Sequence, residues 1–221
     1  YSQIFDVNGV SISNEFQVNT YTYNAQNSPS VSVLQDGGFV VTWASKDQDG
    51  DNYGIYAQRY DANGNTAGDE FRVNSYKQSY QNDPSITALA DGGFVITWQS
   101  SGQDGSGAGV YAQRYDANGN TAGSEFQVNT YYSSEQDNPS ITALADGGFV
   151  VTWASKDQDG DNYGIYAQRY DANGNTTGDE FQVNTYYSSE QDNPSITTLD
   201  DGGFVITWES NQDNYGIYAQ K

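Results

Sequence analysis

From Phe39 to Trp43 the side chains Phe39, Val41 and Trp43 fall on one face and Val40 and Thr42 on the other, a period of two that predicts a strand. A shorter alternation runs through Pro84, Ser85, Ile86, Thr87, Ala88 and Leu89. It leads through the tight connection Asp91, Gly92 and Gly93 into a second strand from Gly93 to Trp98. A polar loop follows, then a third strand from Val110 to Tyr115. The turn from Asp116 to Asn120 leads into a fourth strand from Glu125 to Asn129. The Tyr-rich stretch from Thr130 to Asn138 connects to the next unit, whose first strand is predicted to begin at Pro139, where no N–H is needed.

This four-strand pattern repeats. The segment Asp36 to Trp43 recurs at Asp91 to Trp98, Asp146 to Trp153 and Asp201 to Trp208, in steps of 55 residues. Four antiparallel units in sequence predict one all-β domain over 1–221, a four-bladed β-propeller of four-stranded antiparallel blades. Tyr1, Ser2 and Gln3 align with Tyr56, Ala57 and Gln58, and Tyr218, Ala219 and Gln220 align with the same place. The phase predicts a ring closed by the N- and C-terminal strands, with the segment Asn14 to Asn19 completing the last blade. An open stack cut from a longer array is the rival architecture. Trp43, Trp98, Trp153 and Trp208 share one slot and are expected to pack between blades, with ligand stacking as the alternative.

Composition changes the picture in two ways. Aromatic residues make up 14% of the chain and Gly contributes 24 residues, which suits aromatic strands joined by tight turns. The 29 acidic residues against 8 basic ones give a net charge of −21, so nucleic acid and anionic membrane are poor partners. No apolar run is long enough to span a membrane, and no insertion is expected. With no Cys and no His, thiol nucleophiles, imidazole bases and imidazole metal ligands are all missing.

The acidic residues gather in the loops between second and third strands. Asp47, Asp49 and Asp51 in the first copy, and Asp157, Asp159 and Asp161 in the third, alternate around Gly50 and Gly160. That spacing offers several hard oxygens to one ion, and Ca²⁺ is the expected cofactor; a solvated acidic loop is the competing reading. The second copy keeps Asp104 but carries Gly102 and Ser106, and the fourth is shortened around Asp213. The turns between third and fourth strands, Asp61, Asn63 and Asn65 with Asp69 beyond, resemble the oxygen ladder of FG-GAP repeats in integrin propellers; a plain Asn-Gly hairpin turn explains the same residues.

The stretches Gly54 to Asn65 and Gly37 to Trp43 are similar to repeats of large secreted bacterial proteins of the RTX calcium-binding type, although the glycine-rich nonapeptide of that family is absent. The resemblance implies secretion or a cell-surface location, abundant calcium, and adhesion.

The loops between fourth and first strands share a face with the acidic loops and carry Tyr76 and Tyr80, Tyr131 and Tyr132, and Tyr186 and Tyr187. Such rings suit stacking on sugars, and the competing reading packs them over blade junctions. A repeat this uniform argues for repeated binding sites over one asymmetric catalytic centre. The expectation is a non-catalytic, secreted, calcium-binding module, monomeric or part of a longer array, that recognises an extracellular glycan or cell-surface ligand. A structural spacer and a carboxylate-based glycosidase are the alternatives. In the latter case, Arg59, Arg114 and Arg169 occupy one slot on different blades and do not converge on an anionic sugar.

Overall fold

A computed structural model describes residues 1–212 and 215–221. Four antiparallel sheets follow one another. The first holds β1 (Gln26–Val33), β2 (Phe39–Lys46), β3 (Tyr53–Tyr60) and β4 (Phe71–Arg72); the second β5 (Gln81–Ala88), β6 (Phe94–Ser101), β7 (Ala108–Tyr115) and β8 (Phe126–Gln127). The third holds β9 (Gln136–Ala143), β10 (Phe149–Lys156), β11 (Tyr163–Tyr170) and β12 (Phe181–Gln182), and the fourth β13 (Gln191–Thr198), β14 (Phe204–Ser210) and β15 (Gly216–Gln220). No helix occurs among the described residues, so none is long and apolar enough to cross a membrane. The arrangement is all-β and propeller-like, with neighbouring inner strands β1, β5, β9 and β13 packed in chain order.

Alternation explains the core. In β2 both faces are buried, one against the N-terminal segment and the other against the second sheet, and each later sheet packs one face on the sheet before it. Leu34, Val40, Ala44, Ile55, Ala57 and Val73 of the first repeat meet Ile86, Phe94, Ile96, Trp98, Tyr111 and Tyr115 of the second. The same two faces meet again between second and third, and between third and fourth. Trp98 and Trp153 are fully buried and Trp43 and Trp208 nearly so, which bears out their packing role. The repeated glycine before each second strand has a steric cause: a Cβ on Gly38 would stand 2.3 Å from the Tyr60 carbonyl.

The first strand of each unit begins earlier than Pro predicts. It starts at Gln26, Gln81, Gln136 and Gln191, three residues before Pro, and a bulge absorbs the misfit. At its centre Ser28, Asp83, Asn138 and Asn193 adopt φ of 49°, 51°, 51° and 52°. Left-handed backbone at a non-glycine residue re-aims the neighbouring side chains.

No closed ring is detected among the described residues. Ser2 and Phe16 exchange backbone hydrogen bonds of 2.9 Å, so the segment expected to complete the last blade pairs instead with the chain's own N-terminus. Tyr1 to Gln3 and Tyr218 to Gln220 are the same strand of the repeat, and the one nearer in sequence closes the shorter loop at lower entropic cost. The seam leaves both complementary faces partly uncovered, although Val18 and Phe16 of the N-terminal segment still pack on Val41 and Trp43. Val31 is 62% exposed where its equivalents Ile86, Ile141 and Ile196 are 7%, 6% and 8% exposed, and Ile217 is 74% exposed where Ile55, Val110 and Ile165 are fully buried. A cavity of about 470 Å³ between the N-terminal segment and the first sheet is lined by Tyr1, Val18, Val31, Val41 and Trp43.

Candidate functional site

The bulges bring four pre-proline segments to one place. Ser28 to Ser30, Asp83 to Ser85, Asn138 to Ser140, and Asn193 with Pro194 line a single open cavity of about 360 Å³, where the four inner strands begin. The repeat is unequal here. One position holds Asn27, Asn82, Asp137 and Asp192 in the four copies, and the next holds Ser28, Asp83, Asn138 and Asn193. The acids are tied into place: Ser28 Oγ donates to Asp83 Oδ1 at 3.0 Å, and Asn138 Nδ2 donates to Asp192 Oδ1 at 2.8 Å.

Beside this cavity, at the start of β9, stand Glu135 and Asp137. Tyr163, at the start of β11, places its hydroxyl 2.7 Å from Glu135 Oε2 and 3.2 Å from Asp137 Oδ2. Burial, followed by the negative charge of Asp192, pushes the Asp137 carboxyl up to about 7, and its Oδ1 is buried without a hydrogen-bond partner. Glu135 moves the other way. The Tyr163 hydrogen bond holds it below the usual range, aided by Lys156, whose Nζ lies 3.5 Å from Glu135 Oε2. Two carboxyl groups on one phenol are thus driven apart in acidity, the arrangement that separates an acid from an ionised partner near neutral pH.

In the expected metal loops each carboxylate takes its own partner. Asp47 Oδ2 accepts from Asn24 Nδ2 at 3.2 Å, Asp51 Oδ2 from Ser79 N at 3.2 Å, and Asp49 Oδ2 lies inward, 3.5 Å from Arg72 Nη1. In the third copy Asp157 Oδ2 accepts from Ser134 Oγ at 3.3 Å, Asp159 Oδ2 from Gln182 Nε2 at 2.9 Å, and Asp161 Oδ2 from Ser189 N at 3.1 Å. Among the described residues no group of three or more acidic side chains is placed to hold a metal ion. Asp213 lies outside the described residues.

The tyrosines divide. The carbonyls of Tyr76, Tyr131 and Tyr186 accept from Asn74, Asn129 and Asn184, which pins the backbone of each loop at the first ring. Tyr80, Tyr132 and Tyr187 are exposed, as is Tyr186, and Tyr80 stacks on Tyr53 with ring centroids 6.1 Å apart. These three loops run directly into β5, β9 and β13.

No protein-family model and no curated protein matches the sequence. Solved structures do match. A protein of unknown function from Dyadobacter fermentans aligns at TM-score 0.64 and 14% identity over 88% of this chain and 65% of its own. An endo-arabinase from Bacteroides thetaiotaomicron aligns at TM-score 0.55 and 16% identity over 95% and 80%, and a thermostable family-43 glycoside hydrolase at TM-score 0.52 and 12% identity over 86% and 69%. The fold is one that glycoside hydrolases use.

These neighbours correct the sequence reading. The likeness is to glycoside hydrolases and not to RTX or FG-GAP adhesin repeats, and it overturns the expectation of a non-catalytic adhesion module. Both corrections have a physical reason. The supposed FG-GAP ladder is a closed turn: Asp61 Oδ1 accepts from the backbone N–H of Asn63 and of Asn65, each at 2.9 Å, and Oδ2 from Asn65 Nδ2, so the carboxylate is spent on its own loop. The repeat is not uniform where the inner strands begin, since Asn27 and Asn82 give way to Asp137 and Asp192.

Proposed function

We propose that the chain is a carboxylate-dependent glycoside hydrolase whose reacting groups are the acids at the start of β9, with Asp137 as general acid and Glu135 as its ionised partner. The observation that carries this reading is the Tyr163-bridged pair with opposed shifts in acidity. A carboxyl that keeps its proton near pH 7 can give it to a leaving glycosidic oxygen, while an ionised carboxylate beside it meets the positive charge that develops on the sugar ring. The two bridged oxygens are no farther apart than those two contacts laid end to end, which is less than the roughly 6.5 Å at which inverting pairs begin. That spacing suits double displacement with retention of configuration.

The substrate class follows from charge. Arg59 donates to the Ala117 carbonyl, Arg114 to those of Ala172 and Asn173, and Arg169 pairs with Asp146, all at turns between strands and away from the acids. Among the described residues the one cation beside the pair, Lys156, is already matched by Glu135 at 3.5 Å, so the reading favours a neutral glycan, with the exposed Tyr80, Tyr132 and Tyr187 as stacking platforms. The endo-arabinase among the structural neighbours supports the same class, while a sialidase of similar fold, at TM-score 0.63, is the reason a sialylated glycan belongs in the test. The test is reducing-sugar release from arabinan, xylan and a sialylated glycan. Release from a neutral polymer supports the reading, release from the sialylated glycan alone overturns the substrate class, and release from none overturns the activity.

A further inference from the structure

Tyr163 has one hydrogen to give and two carboxyl oxygens to satisfy. Its Oη stands 2.7 Å from Glu135 Oε2 and 3.2 Å from Asp137 Oδ2. A phenol donates once and accepts with its lone pairs. If both carboxyls were ionised, one contact would be a hydrogen bond and the other a repulsion between oxygen atoms. Both become hydrogen bonds only when one carboxyl carries a proton and donates it to Oη while Tyr163 donates to the other.

The surroundings choose the direction. The shorter contact has the length of a charge-assisted O–H···O⁻ bond, and it falls on Glu135, which also faces the ammonium of Lys156 at 3.5 Å. Asp137 faces Asp192, Glu135 and Asp83, all acidic, and it is the more deeply buried of the pair. The proton therefore belongs on Asp137 and the charge on Glu135, with Tyr163 accepting from the first and donating to the second.

The other copies isolate the feature. In the first copy Tyr53 is flanked by Ala25 and Asn27, and in the second the tyrosine position is Ala108. The fourth copy repeats all three residues as Glu190, Asp192 and Tyr215 around a cavity of about 160 Å³, but Tyr215 is 82% exposed and no described hydrogen bond joins it to either acid. The bridge is formed in the third repeat alone among the described residues.

We propose that Tyr163 is a positioning residue that fixes the proton on Asp137 and the charge on Glu135, and thereby assigns the acid role within the pair. The inference rests on the glycoside hydrolase reading for its catalytic meaning. No bond to Tyr163 is made or broken in the reaction. At rest Asp137 spends its donor on Tyr163; in the reaction the same proton passes to the leaving oxygen as the glycosidic C–O bond breaks and the anomeric carbon bonds to Glu135 Oε1, from which water then displaces it, returning a proton to Asp137, while Tyr163 stays on Glu135 Oε2.

The test is a carboxyl NMR titration of the full chain, with Asp137 and Glu135 assigned through Asp137→Asn and Glu135→Gln, alongside pH profiles for hydrolysis of 4-nitrophenyl arabinofuranoside and xyloside. In Tyr163→Phe the two titrations are expected to move toward each other by about one pH unit, since Glu135 loses its donor and Asp137 its acceptor. The pH–rate profile should narrow with them. Tyr215→Phe, in the unbridged fourth copy, should leave both unchanged. If Tyr163→Phe does not fold, Glu135→Gln serves: it leaves Tyr163 free to donate to Asp137, whose titration should then fall. Titrations that stay apart in Tyr163→Phe, or that shift together in one direction, overturn the proposal. Converging titrations with no hydrolysis by any variant uphold the bridge and overturn the hydrolase reading; hydrolysis with unmoved titrations does the reverse.

Discussion

Arg72 Nη1 stands 3.5 Å from Asp49 Oδ2, a carboxylate whose side chain is only 3% exposed. In the third repeat the same carboxylate, Asp159, faces the neutral amide of Gln182 at 2.9 Å. Removing the guanidinium leaves a buried charge unpaired, so Arg72→Ala should cost about 3 kcal/mol, the lower end for breaking a buried pair. Chemical unfolding of this variant reads the loss, and a cost no larger than that of Gln182→Ala would contradict the account.

The same difference separates the two loops toward calcium. An ion entering the first loop would compete with Arg72 for Asp49, whereas in the third it would compete with the neutral Gln182 for Asp159. Any calcium-dependent gain in melting temperature should therefore fall more in Asp159→Asn than in Asp49→Asn. Equal losses, or no calcium dependence at all, would speak against calcium at these loops.

The seam gives a sharper test of the fold. Ile86 lies in a packed interface between sheets, and its equivalent Val31 faces solvent across the open gap. Ile86→Ala should cost about 2–4 kcal/mol, while Val31→Ala should change stability by less than about 0.5 kcal/mol. If Val31→Ala costs as much as a core truncation, the ring is closed in solution.

Much of the fold was legible because each unit repeats its alternation, its glycine turn and its Trp in fixed order. What escaped was local. Reading Pro139 as the start of a strand placed Glu135, Asp137 and Asn138 in a loop, whereas the strand begins at Gln136 and bulges around Asn138. The acids at the start of the inner strands were thus hidden by a misplaced boundary, although the change from Asn27 and Asn82 to Asp137 and Asp192 at one repeat position is legible in the sequence. Asp47, Asp49 and Asp51 are dense in sequence and take separate partners in space, which spacing alone does not show. The pairing of Phe16 with Ser2 was equally out of reach, because two segments carry the same strand and only loop length separates them.

Stability should carry the signature of Asp137. Its folded value near 7 lies above the ordinary carboxyl value of about 3.9, so between those two values the folded chain holds a proton that the unfolded chain releases. Its contribution is fully present below about pH 4 and is lost as pH rises to about 7, by about 2–4 kcal/mol. Asp137→Asn should remove that decline. Unfolding free energies at pH 4, 5.5 and 8 for both proteins check it, and parallel curves would contradict the burial of this acid.

The most direct measurement is the pH dependence of kcat/KM for hydrolysis of a neutral glycan by the native chain and by Asp137→Asn. The account predicts a rate that falls above about pH 7 as Asp137 loses its proton, and a loss of about 10²–10⁴-fold in Asp137→Asn. Hydrolysis that persists at the native rate in Asp137→Asn would contradict it.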